Sequence, residues 1–272
     1  MRGSRTTAHH KRRFSRATPC VPHLFDCWEK VSQRLRAAKE IRLFIDFDGT
    51  LVPHRADPDS VRLGDEMKAA LQRIVSHRHI HVGIMSGRRR ANLRRLVRIP
   101  KIEFYGLYGY ESENGLEISV LTALNLRQIL EALEEQSADM PGIQWEDKGV
   151  SVAVHFRDAP PMSRQKANRL IRRAVSCSRG DLRVVETDSA WDIVPRRVQG
   201  KGSGVRNALK NIKRDFLSVF IGDDISDEPA FKELRGGITV RVGSEPRTEA
   251  HYRLDDSEEV REFLDRLERG LP

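Results

Sequence analysis

Two short strings of this chain end an apolar run on paired carboxylates. Ile41 to Leu51 reads Ile-Arg-Leu-Phe-Ile-Asp-Phe-Asp-Gly-Thr-Leu, with Asp46 and Asp48 two apart and a glycine and a hydroxyl just behind them. Residues at i and i+2 of extended backbone point the same way, so two such carboxylates repel unless a cation lies between them. An Asp-Gly turn closing a strand would account for Asp48-Gly49 alone. The second string, Phe220-Ile221-Gly222-Asp223-Asp224, repeats the arrangement, and Asp227 and Glu228 follow one turn later. Asp46, Asp48, Asp223, Asp224 and Asp227 would then crowd one sheet edge. Mg²⁺ suits such an oxygen-rich set, because it takes few carboxylates and keeps waters that a substrate phosphate can replace. Asp227 by itself reads equally well as a helix N-cap.

Two further pieces point to a phosphate. Ser86-Gly87-Arg88 follows the apolar run Val82 to Met85 and supplies a hydroxyl, a permissive backbone position and a guanidinium where a helix begins. Free N–H groups at such a start attract anions. Lys201 lies in Gln-Gly-Lys-Gly-Ser-Gly, opening another helix, where its ammonium could meet a phosphoryl oxygen and offset the acids. A P-loop does not fit, because Gly202 stands where a Ser or Thr should reach the metal and Pro195 replaces the first glycine.

These residues need parallel strands to bring them together. From Ile41 onward, short β-branched and aromatic runs alternate with longer stretches of helical spacing, the pattern of a doubly wound α/β sheet. Strands are expected at 41–46, 80–85, 103–107, 150–156, 182–185, 191–194, 217–222 and 238–242, several of them apolar throughout, as strands buried on both faces are. In such sheets ligands bind at the strand C-termini. The segment 121–194 reads helix, strand, helix, strand, strand and carries none of these motifs at its strand ends, so it is expected to be an inserted α/β cap. The core would comprise 38–120 and 195–272, preceded by a flexible basic arm, 1–37.

Composition narrows the function classes. The 272 residues are 39% apolar, enough for a sizeable core, and no apolar run approaches the roughly 18 residues of a membrane span. Three cysteines, Cys20, Cys27 and Cys177, have no paired metal spacing and suit reduced thiols in the cytoplasm. A net charge of +9 invites a nucleic-acid reading. Residues 1–20, however, hold Arg2, Arg5, Lys11, Arg12, Arg13 and Arg16 with no acid, so the excess sits mainly in the arm and nucleic acid is not the expected partner.

In chain order, Asp-Phe-Asp-Gly-Thr, Ser-Gly, Lys and Gly-Asp-Asp-x-x-Asp resemble the four motifs of the haloacid dehalogenase superfamily of aspartate-nucleophile phosphotransferases. The resemblance implies that Asp46 attacks phosphorus and that Asp48 protonates the leaving oxygen and then deprotonates water. It implies Mg²⁺ held by Asp46, the backbone carbonyl of Asp48 and Asp223, with Ser86, Gly87 and Lys201 on the phosphoryl group. Asp224, Asp227 and Arg88 would surround these, the two acids holding Lys201 and metal waters.

The inserted segment narrows the ester. Trp145-Glu-Asp-Lys-Gly-Val-Ser-Val-Ala-Val-His-Phe-Arg157 resembles the cap strand of trehalose-6-phosphate phosphatases, as do Gly106 to Glu111 and the tail from Val242 to Leu264. Glu146 and Lys148, two apart on an expected strand, and Asp192 would read sugar hydroxyls, since a polar pocket rejects a substrate that leaves it unpaired. The chain departs from that family at Tyr108, where a His is usual, and at Asp192, where an acid one methylene longer is usual. The expected activity is Mg²⁺-dependent hydrolysis of trehalose 6-phosphate by a monomer working alongside a trehalose-6-phosphate synthase. The rivals are a related phosphatase of glucosylglycerol phosphate or mannosyl-phosphoglycerate, and a non-catalytic sugar-phosphate or nucleic-acid binder.

Overall fold

The structure is a computed structural model that describes residues 21–54, 61–111, 118–244 and 247–270. Residues 1–20 of the expected arm lie outside the described residues. A 3-10 turn at Phe25–Cys27 leads into α1 (Trp28–Ala37), then β1 (Ile41–Ile45), α2 (Asp65–Ile74), β2 (Ile80–Met85), α3 (Arg90–Val97) and β3 (Glu103–Tyr105). Next come α4 (Val120–Glu135), β4 (Gln144–Asp147), β5 (Val152–His155), α5 (Pro161–Cys177), β6 (Leu182–Glu186) and β7 (Ala190–Pro195). The chain closes with α6 (Lys201–Leu209), β8 (Leu217–Gly222), α7 (Glu228–Glu233), β9 (Ile238–Val242), β10 (Tyr252–Leu254) and α8 (Ser257–Gly270). No helix among the described residues is long and apolar enough to cross a membrane.

Six strands form one sheet in the order β10-β9-β8-β1-β2-β3, with every pairing parallel. Alternation along β1 explains its place at the centre. Ile41, Leu43 and Ile45 enter one apolar layer with α2 and α8, while Phe44 enters the other with Met85, Phe220 and Phe231. Ile45 is in register with Ile84 on one side and Ile221 on the other. The residues that follow these strands therefore emerge together, at the point where strand order reverses.

The cap strands form a separate antiparallel sheet, β4-β5-β7-β6. One face packs Val152, Val154 and Ile193 against Leu126, Ile129 and Leu133 of α4 and Ala167 and Ile171 of α5. Two expectations need correction. The Trp145 to Arg157 string is a hairpin rather than one strand, because Gly149 adopts a positive φ of 75° and turns the chain between β4 and β5. Part of the expected arm is also core. Leu24, Val31 and Leu35 are buried in the main apolar cluster, Trp28 packs edge-on to Phe263 of α8, and His23 Nε2 lies 2.8 Å from Glu259. The amphipathic spacing of α1 gives residues 21–37 a face that must be covered.

Candidate active site

Asp46 follows β1 directly and is almost fully buried. Lys201, at the first turn of α6, places Nζ 2.9 Å from Asp46 Oδ2 and 2.7 Å from Asp227 Oδ1. Asp227 accepts on its other oxygen from the Asp224 backbone N–H at 2.9 Å. This approach is possible only because residue 222 is glycine: a side chain there would fall 2.3 Å from the Asp227 carboxyl carbon. Gly49 is constrained in the same way. Its φ is +81°, and an added Cβ would lie 2.0 Å from Asp223 Oδ2.

Carboxylate oxygens of Asp46, Asp223 and Asp227 lie within 4.8 Å of one another. Burial pushes the Asp46 carboxyl well above the usual carboxylate range; Lys201 pulls it back, and the charges of Asp227 and Asp223 push it further. Burial likewise pushes Asp227 up to about 6 against the pull of Lys201, with Asp223 adding to the rise. Burial opposes the charge on Lys201, but Asp227 and Asp46 outweigh it and its pKa is raised. Two of these acids share the Lys201 ammonium, and Asp223 stands beside them without touching it. The donors are all hard oxygens, and the excess negative charge fits a divalent cation.

The remaining predicted residues divide. Ser86 is buried at the end of β2, and its Oγ accepts from the Arg88 N–H at 3.1 Å. Arg88, expected around the site, pairs with Asp48. Its Nε and NH2 reach both oxygens of Asp48, at 2.6 and 2.7 Å. Asp224 is placed differently. Its oxygens accept from the Ser226 N–H and, across the core–cap junction, from the Asp188 N–H, both at 2.7 Å, so of Asp224 and Asp227 it is Asp227 that bonds Lys201.

On the cap side, register places Glu146, Ala153 and Asp192 in one rung across β4, β5 and β7. Lys148 lies in the hairpin turn. Its Nζ is 3.2 Å from Asp192 Oδ1 and 3.3 Å from the Gly87 carbonyl, while Arg89 NH1 donates to the Lys148 carbonyl at 2.6 Å. Glu146 looks elsewhere: His155 Nε2 is 3.7 Å from it and is the main influence holding its carboxyl below the usual range. Core and cap residues together line a cleft of about 590 Å³ that includes Asp46, Asp48, Lys201, Glu146, Lys148 and Asp192.

Sequence reasoning missed three members. His54 Nε2 is 2.7 Å from Asp223 Oδ2, which raises the imidazole pKa, and no motif marks that histidine. Thr50 Oγ1 donates to Asp223 Oδ1 at 3.1 Å; the hydroxyl was visible after Gly49, its partner was not. Tyr108 stood out only as a departure from a family pattern. Its hydroxyl donates to Asp192 Oδ2, so the two departures touch each other.

A parallel sheet that gathers an aspartate, a lysine and an acidic cluster beneath an inserted cap defines a haloacid dehalogenase-type hydrolase. A haloacid dehalogenase-like hydrolase from Bacteroides thetaiotaomicron shares the fold, with a TM-score of 0.59 and 16% identity over 84% of this chain and all of that one, at 100%. A trehalose-6-phosphate phosphatase C-terminal domain from C. albicans superposes with a TM-score of 0.77 at 20% identity, covering 93% of this chain and 99% of that one. The trehalose-phosphatase family pattern matches residues 44–258, and this chain belongs to that family. A trehalose-phosphate phosphatase from Mycobacterium leprae is 30% identical over 257 residues, 86% of this chain and 59% of that protein.

Proposed function

We propose that this protein hydrolyses trehalose 6-phosphate to trehalose and phosphate through an aspartyl-phosphate on Asp46. The observation that carries the proposal is a buried Asp46 bonded to Lys201 in a cleft whose other wall is Glu146, Lys148 and Asp192 of the cap. An Asp46 oxygen attacks phosphorus in line as the bond from phosphorus to the sugar oxygen breaks. Asp48 gives its proton to that oxygen. Because both Asp48 oxygens rest on Arg88, entry of the ester has to free one of them. A water then forms the new bond to phosphorus, loses its proton to Asp48, and releases Asp46.

Ser86 Oγ, the Gly87 backbone and Lys201 Nζ orient the phosphoryl oxygens. Asp46, Asp223 and the Asp48 backbone carbonyl would hold Mg²⁺, with Asp227 keeping Lys201 beside them. When bound, that ion offsets charge on the phosphoryl oxygens. Lys148 and Asp192, nearly wholly buried, and the half-exposed Glu146 are suited to sugar hydroxyls, because a wrong sugar would leave them unpaired. In this reading the protein acts as a cytoplasmic monomer downstream of a trehalose-6-phosphate synthase.

The test is phosphate release with Mg²⁺ from a panel of sugar phosphates, using Asp46→Asn as the blank. Strong preference for trehalose 6-phosphate supports the proposal. Preference for glucosylglycerol phosphate or mannosyl-phosphoglycerate keeps the phosphatase and removes the substrate, and no release from any ester removes both.

A further inference from the structure

The turn after β3 carries two successive residues in the left-handed region, Leu107 with φ 46° and Tyr108 with φ 61°. Neither is glycine, so both conformations are unfavourable for the side chains they carry. Their backbone N–H groups show what the turn achieves. Leu107 N donates to the Arg88 carbonyl at 3.0 Å and Tyr108 N to the Ser86 carbonyl at 2.9 Å, so the turn is laid along the Ser86-Gly87-Arg88 loop. The Tyr108 side chain, buried to 2% exposure, then crosses to the cap and donates its hydroxyl to Asp192 Oδ2.

The same carboxylate receives Lys148, whose ammonium also reaches the Gly87 carbonyl. A Cβ on Gly87 would lie 2.9 Å from Tyr108 Oη and 3.3 Å from Asp192 Oδ2, so phenol and carboxylate both rest against the loop. Tyr108 is thus bonded at one end to the loop that would hold the phosphoryl group and at the other to a carboxylate of the sugar pocket. Burial raises its pKa well above the ordinary phenol value and the Asp192 charge adds to this, which keeps the hydroxyl protonated as a donor.

We infer that Tyr108 is a positioning residue for the sugar: it fixes the Asp192–Lys148 pair at a set distance from the phosphate loop and thereby selects which glycosyl phosphate fits. This inference rests on the phosphatase proposal and deepens it. The Tyr108 hydroxyl bonds Asp192, while Asp46 and Lys201 bond each other, so losing that hydroxyl acts on binding of the sugar rather than on transfer of the phosphoryl group.

The experiment compares Tyr108→Phe with wild type on the preferred glycosyl phosphate and on p-nitrophenyl phosphate, which has no sugar. Losing the hydroxyl should lower kcat/KM for the glycosyl phosphate about tenfold, mostly through KM, and leave the small ester within about twofold. Equal losses on both esters, or no loss on either, would overturn the inference. Asp192→Leu, of similar size, removes the acceptor altogether, and the double variant should be no worse than the poorer single one, since Tyr108 acts through Asp192. Additive losses would also overturn it. The two proposals fail separately. A wild type that hydrolyses no glycosyl phosphate removes both, whereas a wild type that does so while Tyr108→Phe behaves alike on both esters removes only the role of Tyr108.

Discussion

On the core side of the cleft, Lys201, Asp46 and Asp227 are within 6% exposure and bonded at 2.7 to 2.9 Å. On the cap side, Glu146 is 49% exposed and its nearest basic neighbour stands 3.7 Å away. Strand ends and a helix start fix the first set, and glycines at 49 and 222 admit carboxylates where any side chain would collide. A hairpin turn and an antiparallel rung fix the second. Low-dielectric, closely bonded charges are suited to a reaction whose geometry must not vary, while exposed ones can be exchanged for substrate hydroxyls at small cost. The contrast belongs to Glu146 alone: Lys148 and Asp192, 8% and 5% exposed and 3.2 Å apart, share the buried environment of the core set, so the cap offers the sugar one exchangeable charge beside one fixed pair.

Removing the nucleophile tests that division most severely. Asp46→Asn should lower turnover by on the order of 10⁴-fold or more for every ester while preserving the fold, as measured by phosphate release and circular dichroism. Persistent turnover would move the covalent step elsewhere. Lys201→Met should come next, with a loss of about 10² to 10³ in kcat for sugar esters and small esters alike. A loss confined to sugar esters would erase the distinction between the two walls.

Glu146→Gln should act more weakly and selectively. We expect about a tenfold fall in kcat/KM on trehalose 6-phosphate, mainly through KM, with p-nitrophenyl phosphate unchanged within about twofold. An unchanged value on both would take Glu146 out of sugar recognition.

The smallest effect concerns pH. Asp46 is raised above its unfolded-state pKa, so without a bound cation the native state holds a proton that the unfolded state has already lost. Stability therefore falls as pH rises through that window. Asp46→Asn lacks this liability, so in chelator its melting temperature should exceed that of wild type by about 2–4 °C at neutral pH. The gap should close toward pH 4 and also on adding Mg²⁺. A gap that ignores pH would mean that Lys201 already neutralises the cluster.

Much of the core half was legible beforehand because it is local. An apolar run long enough for a strand, ended by Asp46 or by Asp223, specifies both an element and the place where its chemistry emerges. The Trp145 to Arg157 string was harder to divide, since only β5 carries a buried apolar run, β4 being the mostly exposed Gln-Trp-Glu-Asp, and Gly149 with its positive φ turns the chain between them. Residues 21–37 misled for a related reason. The basic run before them suggested one solvated arm, whereas Val31 and Leu35 supply an apolar stripe that needs the layer shared with Leu267 of α8.

The sequence by itself determined the family, the parallel core and the order in which Asp46, Ser86, Lys201 and Asp223 reach one edge, because strand period and strand ends are properties of short segments. Only the tertiary structure decided which charges touch. Arg88 on Asp48, Asp224 on the cap backbone, His54 on Asp223 and Tyr108 on Asp192 all join residues from 36 to 169 positions apart. No local pattern encodes such pairings, because they follow from how two sheets and their connecting turns pack.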